Sequence, residues 1–86
     1  MRTVIRVELC TDQLKPEDRE SILEAIYEEL HISPGQVSSD GNFELALSGC
    51  AGEDPNGVPY MRIDGNLFAR VTAQRARDLV RARRRR

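Results

Sequence analysis

The chain has 86 residues, of which 40% are hydrophobic and 31% are charged, a composition typical of one small globular domain with one modest core. No stretch approaches the roughly 20 consecutive apolar residues that a transmembrane helix requires. The charged N-terminus follows an alternating strand pattern that a signal peptide lacks. We therefore expect a cytoplasmic protein with no membrane partner, whose two cysteines are free thiols or metal ligands rather than a structural disulfide.

The charge is unevenly distributed. Residues 1–74 carry 6 basic and 13 acidic side chains, a net −7, whereas residues 75–86 carry seven arginines and one aspartate, a net +6. The simplest interpretation of the arginines is a solvated helix end, and the alternative is a contact with an acidic protein surface or with nucleic acid. The absence of interleaved aromatic residues argues against nucleic acid. We expect one domain over residues 1–82 and a basic tail over residues 83–86.

The first half of the chain predicts a strand, a helix and a second strand. Apolar and charged residues alternate from Arg2 to Cys10, as in a half-buried strand. Pro16 suits the first position of a helix that runs to His31, and alternation returns over residues 43–47. The predicted apolar face of the helix carries Ile22, Leu23, Ile26, Tyr27 and Leu30, and its water-facing glutamates are Glu20, Glu24, Glu28 and Glu29.

The second half predicts a hairpin and a final helix. Asp64-Gly65 lies between two short strands and readily adopts the positive φ angles of a tight turn. Thr72 offers an N-cap hydroxyl to a helix whose apolar stripe is Ala73, Ala76, Leu79 and Val80.

The resulting order, β-α-β-β-β-α, predicts an α/β fold with a thioredoxin-like topology. Its mixed four-stranded sheet, on which the helices pack, has the first two strands as parallel neighbours. The predicted core is Ile5, Val7, Leu9, Ile22, Ile26, Leu30, Phe43, Leu45, Leu47, Ile63 and Leu79.

Familiar catalytic motifs are absent from the sequence. It contains no P-loop, no G-x-G-x-x-G, no nucleophile elbow and no C-x-x-C pair. The single histidine, His31, falls at a predicted helix end, where a solvated side chain is the simplest interpretation. The cysteines are more informative, because Cys10 ends the first strand and Cys50 follows the second. The carboxyl ends of adjacent parallel strands converge, although small residues without any ligand are an equally good interpretation of this spacing.

Four segments carry a family resemblance: VELCT, EELHISPGQ, SDGNFELALSGCAG and PYMRIDGNLFARVT. Together they resemble the thioredoxin-like 2Fe-2S ferredoxins, which include the small iron–sulfur subunit of NADH:quinone oxidoreductase and its relatives in NAD-linked hydrogenases and formate dehydrogenases. The resemblance covers nearly the whole chain and implies a thioredoxin-like fold with a role in electron transfer. It also implies a C-x4-C pattern of cluster ligands after the first strand and C-x3-C after the second.

Only half of that ligand pattern is present. Cys10 and Cys50 match the first and third ligand positions, whereas Lys15 and Asp54 stand at the second and fourth, with one inserted residue before Pro59. A 2Fe-2S cluster of this type needs four thiolates. A lysine ammonium only donates hydrogen bonds, and a carboxylate is a harder ligand. We expect Cys10 and Cys50 at the same end of the sheet. Cysteines that flank a former cluster cavity need only have Cα atoms within about 10–15 Å, whereas a disulfide requires less than about 7 Å.

The sequence thus leaves three functions open. We favour a non-catalytic docking subunit of an NAD(P)H-linked flavin and iron–sulfur oxidoreductase complex, without a cofactor in the isolated chain. The first alternative is a 2Fe-2S electron carrier that uses Cys10, Cys50 and ligands from other residues or a partner, including a homodimer that shares one cluster. The second alternative is an adaptor that binds an acidic protein, or nucleic acid, through its basic tail.

Overall fold

The computed structural model describes residues 4–12, 14–50 and 53–84. In chain order the elements are β1 (Ile5–Cys10), α1 (Pro16–Leu30), β2 (Phe43–Ser48), a 3₁₀ turn (Pro55–Gly57), β3 (Met61–Ile63), β4 (Asn66–Phe68) and α2 (Ala73–Arg84). The strands form one sheet in the order β2-β1-β3-β4. β1 is parallel to β2 and antiparallel to β3, which pairs antiparallel with β4. The predicted α/β class, mixed sheet and parallel pair are confirmed, while Arg2, the predicted first residue of β1, lies outside the described residues.

Local signals in the sequence determine where the elements begin and end. Pro16 occupies the first turn of α1, and His31 ends the helix in the left-handed conformation, with its N–H donated to the Tyr27 carbonyl at 2.6 Å. In the hairpin, Asp64 (φ 54°) and Gly65 (φ 84°) both adopt the left-handed conformation that the sequence predicted. The Thr72 hydroxyl accepts the Arg75 N–H at 3.2 Å, which confirms the predicted cap of α2.

One hydrophobic core lies between the helices and a single face of the sheet. The core contains every second residue of the central strands together with residues from both helices. Both α1 and α2 therefore cover the same face of the sheet. On the opposite face Arg6 pairs with Glu8 at 3.2 Å and with Glu44 at 3.5 Å. The buried members of the core are Val7, Leu9, Ile22, Ile26, Leu30, Ile32, Phe43, Leu45, Met61, Ile63, Val71, Ala76 and Val80.

Most predicted core positions are confirmed, but Leu47 is wrong and two others lie at the edge of the core. Leu47 is 37% exposed, because it lies near the end of the edge strand β2, beyond the segment over residues 35–38 that bonds to Leu45. Ile5 and Leu79 are only partly buried. Tyr27, expected on the apolar face of α1, is 51% exposed, since Ala25 occupies that face instead.

The two helices are joined by ion pairs that the sequence analysis did not foresee. We call the five residues Glu28, Glu29, Arg77, Arg81 and Arg84 the helix clamp. The Glu29 carboxylate accepts hydrogen bonds from Arg81 at 2.9 Å and from Arg84 at 2.6 Å, and Arg77 pairs with Glu28. The hydrogen bond from Arg81 is the main cause that lowers the pKa of Glu29.

The helix clamp corrects the expectation that Glu29 faces water, because its side chain is only 11% exposed against α2. Three arginines of the basic segment therefore bind the acidic helix of their own chain.

The helix α2 continues to Arg84, past the expected start of the tail at residue 83, and Arg85 and Arg86 lie outside the described residues. Within the described ranges, no helix combines the length and apolarity needed to cross a bilayer.

Replacing Glu29 with glutamine should remove an acid-sensitive contribution to stability. The folded pKa of Glu29 lies below its ordinary value of 4.5, so its ion pairs stabilise the fold above that value and are lost as the pH falls through the folded pKa. We expect Glu29→Gln to lower the melting temperature at neutral pH, and the difference from the unmodified chain to shrink as the pH falls below 4.5.

The matched control is Glu24→Gln, at an exposed position of the same helix, which should change the melting temperature little at any pH. A Glu29→Gln difference that stays constant between neutral and acidic pH would contradict a role for the Glu29 charge.

Candidate functional site

The parallel pairing of β1 with β2 brings the two cysteines together. Cys10 is the last residue of β1 and lies opposite Ser48, the last residue of β2, with Cys50 two positions further on. The Cα atoms of Cys10 and Cys50 are 5.5 Å apart, and the side chains form a disulfide. The predicted location at one end of the sheet is confirmed. The Cα separation is within the upper limit expected for cysteines beside a former cluster cavity. The expectation of free thiols or metal ligands rather than a disulfide is wrong, because in-register pairing brings the strand ends within the Cα separation that a disulfide needs.

The disulfide is enclosed by a small hydrophobic cluster, separate from the main core. Its buried members are Cys10 (2% exposed), Cys50 (6%) and Tyr60 (8%), with Val58 packed against them. Strand alternation places Cys10 on the face of β1 opposite Leu9, and therefore away from the helices. The cluster thus covers the otherwise open face of the sheet at the carboxyl ends of β1 and β2.

Tyr60 connects the cluster to the loop that follows Cys50. Its carbonyl accepts the Cys10 N–H at 3.1 Å, and its hydroxyl donates to the Asp54 carbonyl at 2.8 Å. Gly57 lies directly beside the Tyr60 ring, where a Cβ atom would overlap the phenol. A glycine at this position is therefore required for the tyrosine to reach Asp54.

Asp12 makes a second connection between the loops after β1 and β2, in addition to the disulfide. Its carboxylate accepts the Cys50 N–H at 3.0 Å. Beside it, the Thr11 N–H donates to the Ser48 carbonyl at 2.9 Å. We refer to Cys10, Asp12, Cys50 and Tyr60 as the strand-end site.

Lys15 and Asp54 occupy positions that cap helical turns. Lys15 is exposed at the N-cap of α1, where its carbonyl accepts the Arg19 N–H at 3.0 Å. Asp54 is exposed before the 3₁₀ turn, and its carboxylate accepts the Asn56 N–H at 2.9 Å. The Asp54 side chain therefore has a local structural role that needs no metal, whereas the Lys15 side chain makes no capping hydrogen bond.

The residues present do not fit a 2Fe-2S cluster within one chain. Such a cluster takes four thiolates, whereas this site offers two sulfurs bonded to each other, an ammonium group and a carboxylate engaged with backbone. In the part of the chain that the structure describes, no three His, Cys, Asp or Glu side chains are grouped as metal ligands. The arrangement is instead suited to thiol–disulfide chemistry.

Sequence reasoning identified the cysteines but missed Asp12 and Tyr60. Aspartate often binds backbone N–H groups in loops, yet the partner of Asp12 lies 38 positions away, so local sequence gives no signal for the contact. Tyr60 lies in the segment PYMRIDGNLFARVT, whose letters indicate the family resemblance but give no sign of the contact with Asp54. His31 is exposed at the end of α1, as expected, and is edge-on to the Tyr27 ring at 5.8 Å.

Replacing both cysteines with alanine should lower the free energy of unfolding by about 4 kcal/mol, because a disulfide that closes a long loop restricts the unfolded chain. The bond joins residues 40 positions apart. Urea unfolding of the oxidised chain, the reduced chain and the double variant measures the effect. Equal midpoints for the oxidised chain and the double variant would show that the disulfide does not stabilise the fold.

Tyr60→Phe should cost about 1 kcal/mol, because it removes the hydrogen bond to the Asp54 carbonyl. Tyr27→Phe removes the same hydroxyl from a side chain that is 51% exposed, and it should be close to neutral. Comparing the two variants by urea unfolding isolates the buried contact, and equal effects would contradict the role given to the Tyr60 hydroxyl.

Comparison with known families agrees with this architecture. A family model described as thioredoxin-like 2Fe-2S ferredoxin matches residues 2–84. The match extends from the first strand to the last described residue of α2, so it includes both cysteines and all of the helix clamp. The chain therefore belongs to the thioredoxin-like 2Fe-2S ferredoxin family.

Proposed function

We propose that this chain is a docking subunit of an NAD(P)H-linked flavin and iron–sulfur oxidoreductase complex, and that it carries no iron–sulfur cluster of its own. The observation that supports this most strongly is the Cys10–Cys50 disulfide. This bond joins the two cysteines of the chain, so neither is a free thiolate ligand. Lys15 and Asp54 stand at the other two ligand positions of the family. The proposed location is the cytoplasm.

The chain keeps the family fold but lacks two of the four cysteine ligands of the cluster. This combination favours a structural role over electron transfer by iron. The main core and the helix clamp are complete in the described residues and do not depend on a metal. The first turns of α1 expose the acidic residues Glu17, Glu20 and Glu24, which are available for contact with a larger subunit. The chain thus keeps a packed domain with a charged outer surface.

The helix clamp weakens the alternative of an adaptor with a free basic tail. Arg77, Arg81 and Arg84 are already paired with Glu28 and Glu29. An acidic partner or nucleic acid would have to compete with contacts made inside the chain, where the paired groups are already held close together. The adaptor therefore ranks below the docking subunit.

Anaerobic purification followed by iron and sulfide analysis tests the state of the cluster. We expect a colourless protein without stoichiometric iron. Two irons and two sulfides per chain, with a charge-transfer spectrum, would contradict the proposal and support the electron carrier. One cluster per two chains would instead support a shared site in a homodimer.

The variant Lys15→Cys/Asp54→Cys completes the family pattern and should improve iron–sulfur reconstitution, because it supplies the two missing thiolates. The same double exchange in a Cys10→Ser background is the control and should not hold the cluster. The inserted residue before Pro59 opposes the gain, so the analysis of the unmodified chain remains the deciding measurement.

The partner is tested separately, by mass spectrometry of proteins that co-purify with the tagged chain from its own cells. We expect flavin and iron–sulfur oxidoreductase subunits in a constant ratio to the chain. Recovery of the chain without such subunits would contradict the docking role.

A further inference from the structure

We propose that Cys10 and Cys50 are a reversible dithiol–disulfide couple, so that the strand-end site carries two electrons on sulfur. The observation behind this inference is that the structure holds the two cysteines together by contacts that do not involve their sulfur atoms. The inference goes beyond the docking role and does not depend on it.

Hydrogen bonds that do not involve sulfur hold the backbone of both cysteines. The Cys10 N–H donates to the Tyr60 carbonyl at 3.1 Å, and the neighbouring Thr11 N–H donates to the Ser48 carbonyl at 2.9 Å. The Cys50 N–H donates to the Asp12 carboxylate at 3.0 Å, and the Cys50 carbonyl accepts the Glu53 N–H at 3.2 Å. Breaking the sulfur–sulfur bond removes none of these hydrogen bonds, so the two thiols stay opposed and ready to be oxidised again.

The main core is packed separately from the bond. The disulfide belongs to a small cluster with Tyr60, whereas the main core has thirteen other buried residues among the described positions, from both helices and the sheet. The helix clamp lies between α1 and α2, away from the cluster. Reduction should therefore lower stability without unfolding the domain, which is what a reversible couple requires.

The cysteine count favours a single oxidised product. The chain has two cysteines, so oxidation within one molecule can form only the Cys10–Cys50 bond. Both residues are sheltered, and Cys50, at 6% exposure, is the more accessible of the two. Such shelter protects the thiols from further oxidation to sulfinic and sulfonic acids.

The reaction partner is a dithiol, and the exchange balances in two steps. A thiolate of the reductant attacks the Cys50 sulfur, which forms a mixed disulfide and releases Cys10 as a thiolate that takes up a proton. The second thiol of the reductant then loses its proton and attacks the mixed disulfide. This step closes the disulfide of the reductant and releases Cys50, which is protonated in turn. Two electrons and two protons pass to the chain, and the reverse sequence restores the Cys10–Cys50 bond.

Equilibration of the full chain in buffers of reduced and oxidised dithiothreitol tests the proposal. Rapid alkylation followed by intact mass measurement gives the fractions with no label and with two labels, and far-UV circular dichroism reports the fold. We expect the oxidised-to-reduced ratio of the protein to change tenfold for each tenfold change in the buffer ratio, identically from either direction, with the fold retained throughout.

Three results would overturn the proposal: a chain that never closes the disulfide at any buffer ratio, disulfides formed only between chains, or loss of the fold on reduction. These results concern the thiols alone. A failed co-purification would leave this titration unchanged, so the two proposals are tested independently.

Asp12→Ala tests how the site positions Cys50. Without the carboxylate that accepts the Cys50 N–H, the thiols are held less firmly. The midpoint, which is the dithiothreitol buffer ratio at which half of the chains are oxidised, should therefore shift about threefold to tenfold, in the direction that favours the dithiol. Asp18→Ala, at an exposed position in the first turn of α1, is the matched control and should leave the midpoint unchanged. Equal midpoints for both variants would overturn the positioning role of Asp12.

Discussion

The parallel, in-register pairing of β1 with β2 is the constraint on which the rest of this protein depends. It aligns Cys10 with Ser48 and thereby brings Cys50 close to Cys10. It also forces the connection between the strands to cross one face of the sheet, and α1 provides that connection while burying Ile22 and Ile26. The same pairing therefore builds the core on one face and the strand-end site at its carboxyl edge.

The two faces of the sheet differ in polarity and in what covers them. The face covered by the helices holds the apolar core, and the helix clamp fixes α2 against α1 through paired charges rather than apolar contacts alone. The other face is polar over Arg6, Glu8 and Glu44, and at its carboxyl edge it forms a second cluster, around the disulfide. A change in the Cys10–Cys50 bond at that edge would therefore leave the packing of the main core intact.

Sequence patterns predicted most of the fold, because its elements are encoded locally. Alternation gave the strands, Pro16 the start of α1, Asp64-Gly65 the hairpin and Thr72 the cap of α2, all as observed. The patterns failed where a residue's environment is set by a distant segment.

The failures at Leu47 and Glu29 illustrate this limit. Leu47 has the right periodicity but lies beyond the segment that covers the edge of β2. Glu29 lies on the water-facing side of α1 when that helix is considered alone, but α2 covers its side chain in the folded domain. The site followed the same rule: spacing located both cysteines, but neither the disulfide nor the Asp12 contact 38 residues away could be read from local sequence.

Native mass spectrometry of the anaerobically purified chain tests the central claim most directly, because one spectrum reports both bound metal and the state of the sulfurs. If Cys10 and Cys50 are bonded to each other, the chain should weigh two hydrogens less than its fully reduced sequence and carry no iron or sulfide. A chain whose mass includes two irons and two sulfides would contradict the account, because both cysteines would then be ligands of an intact cluster.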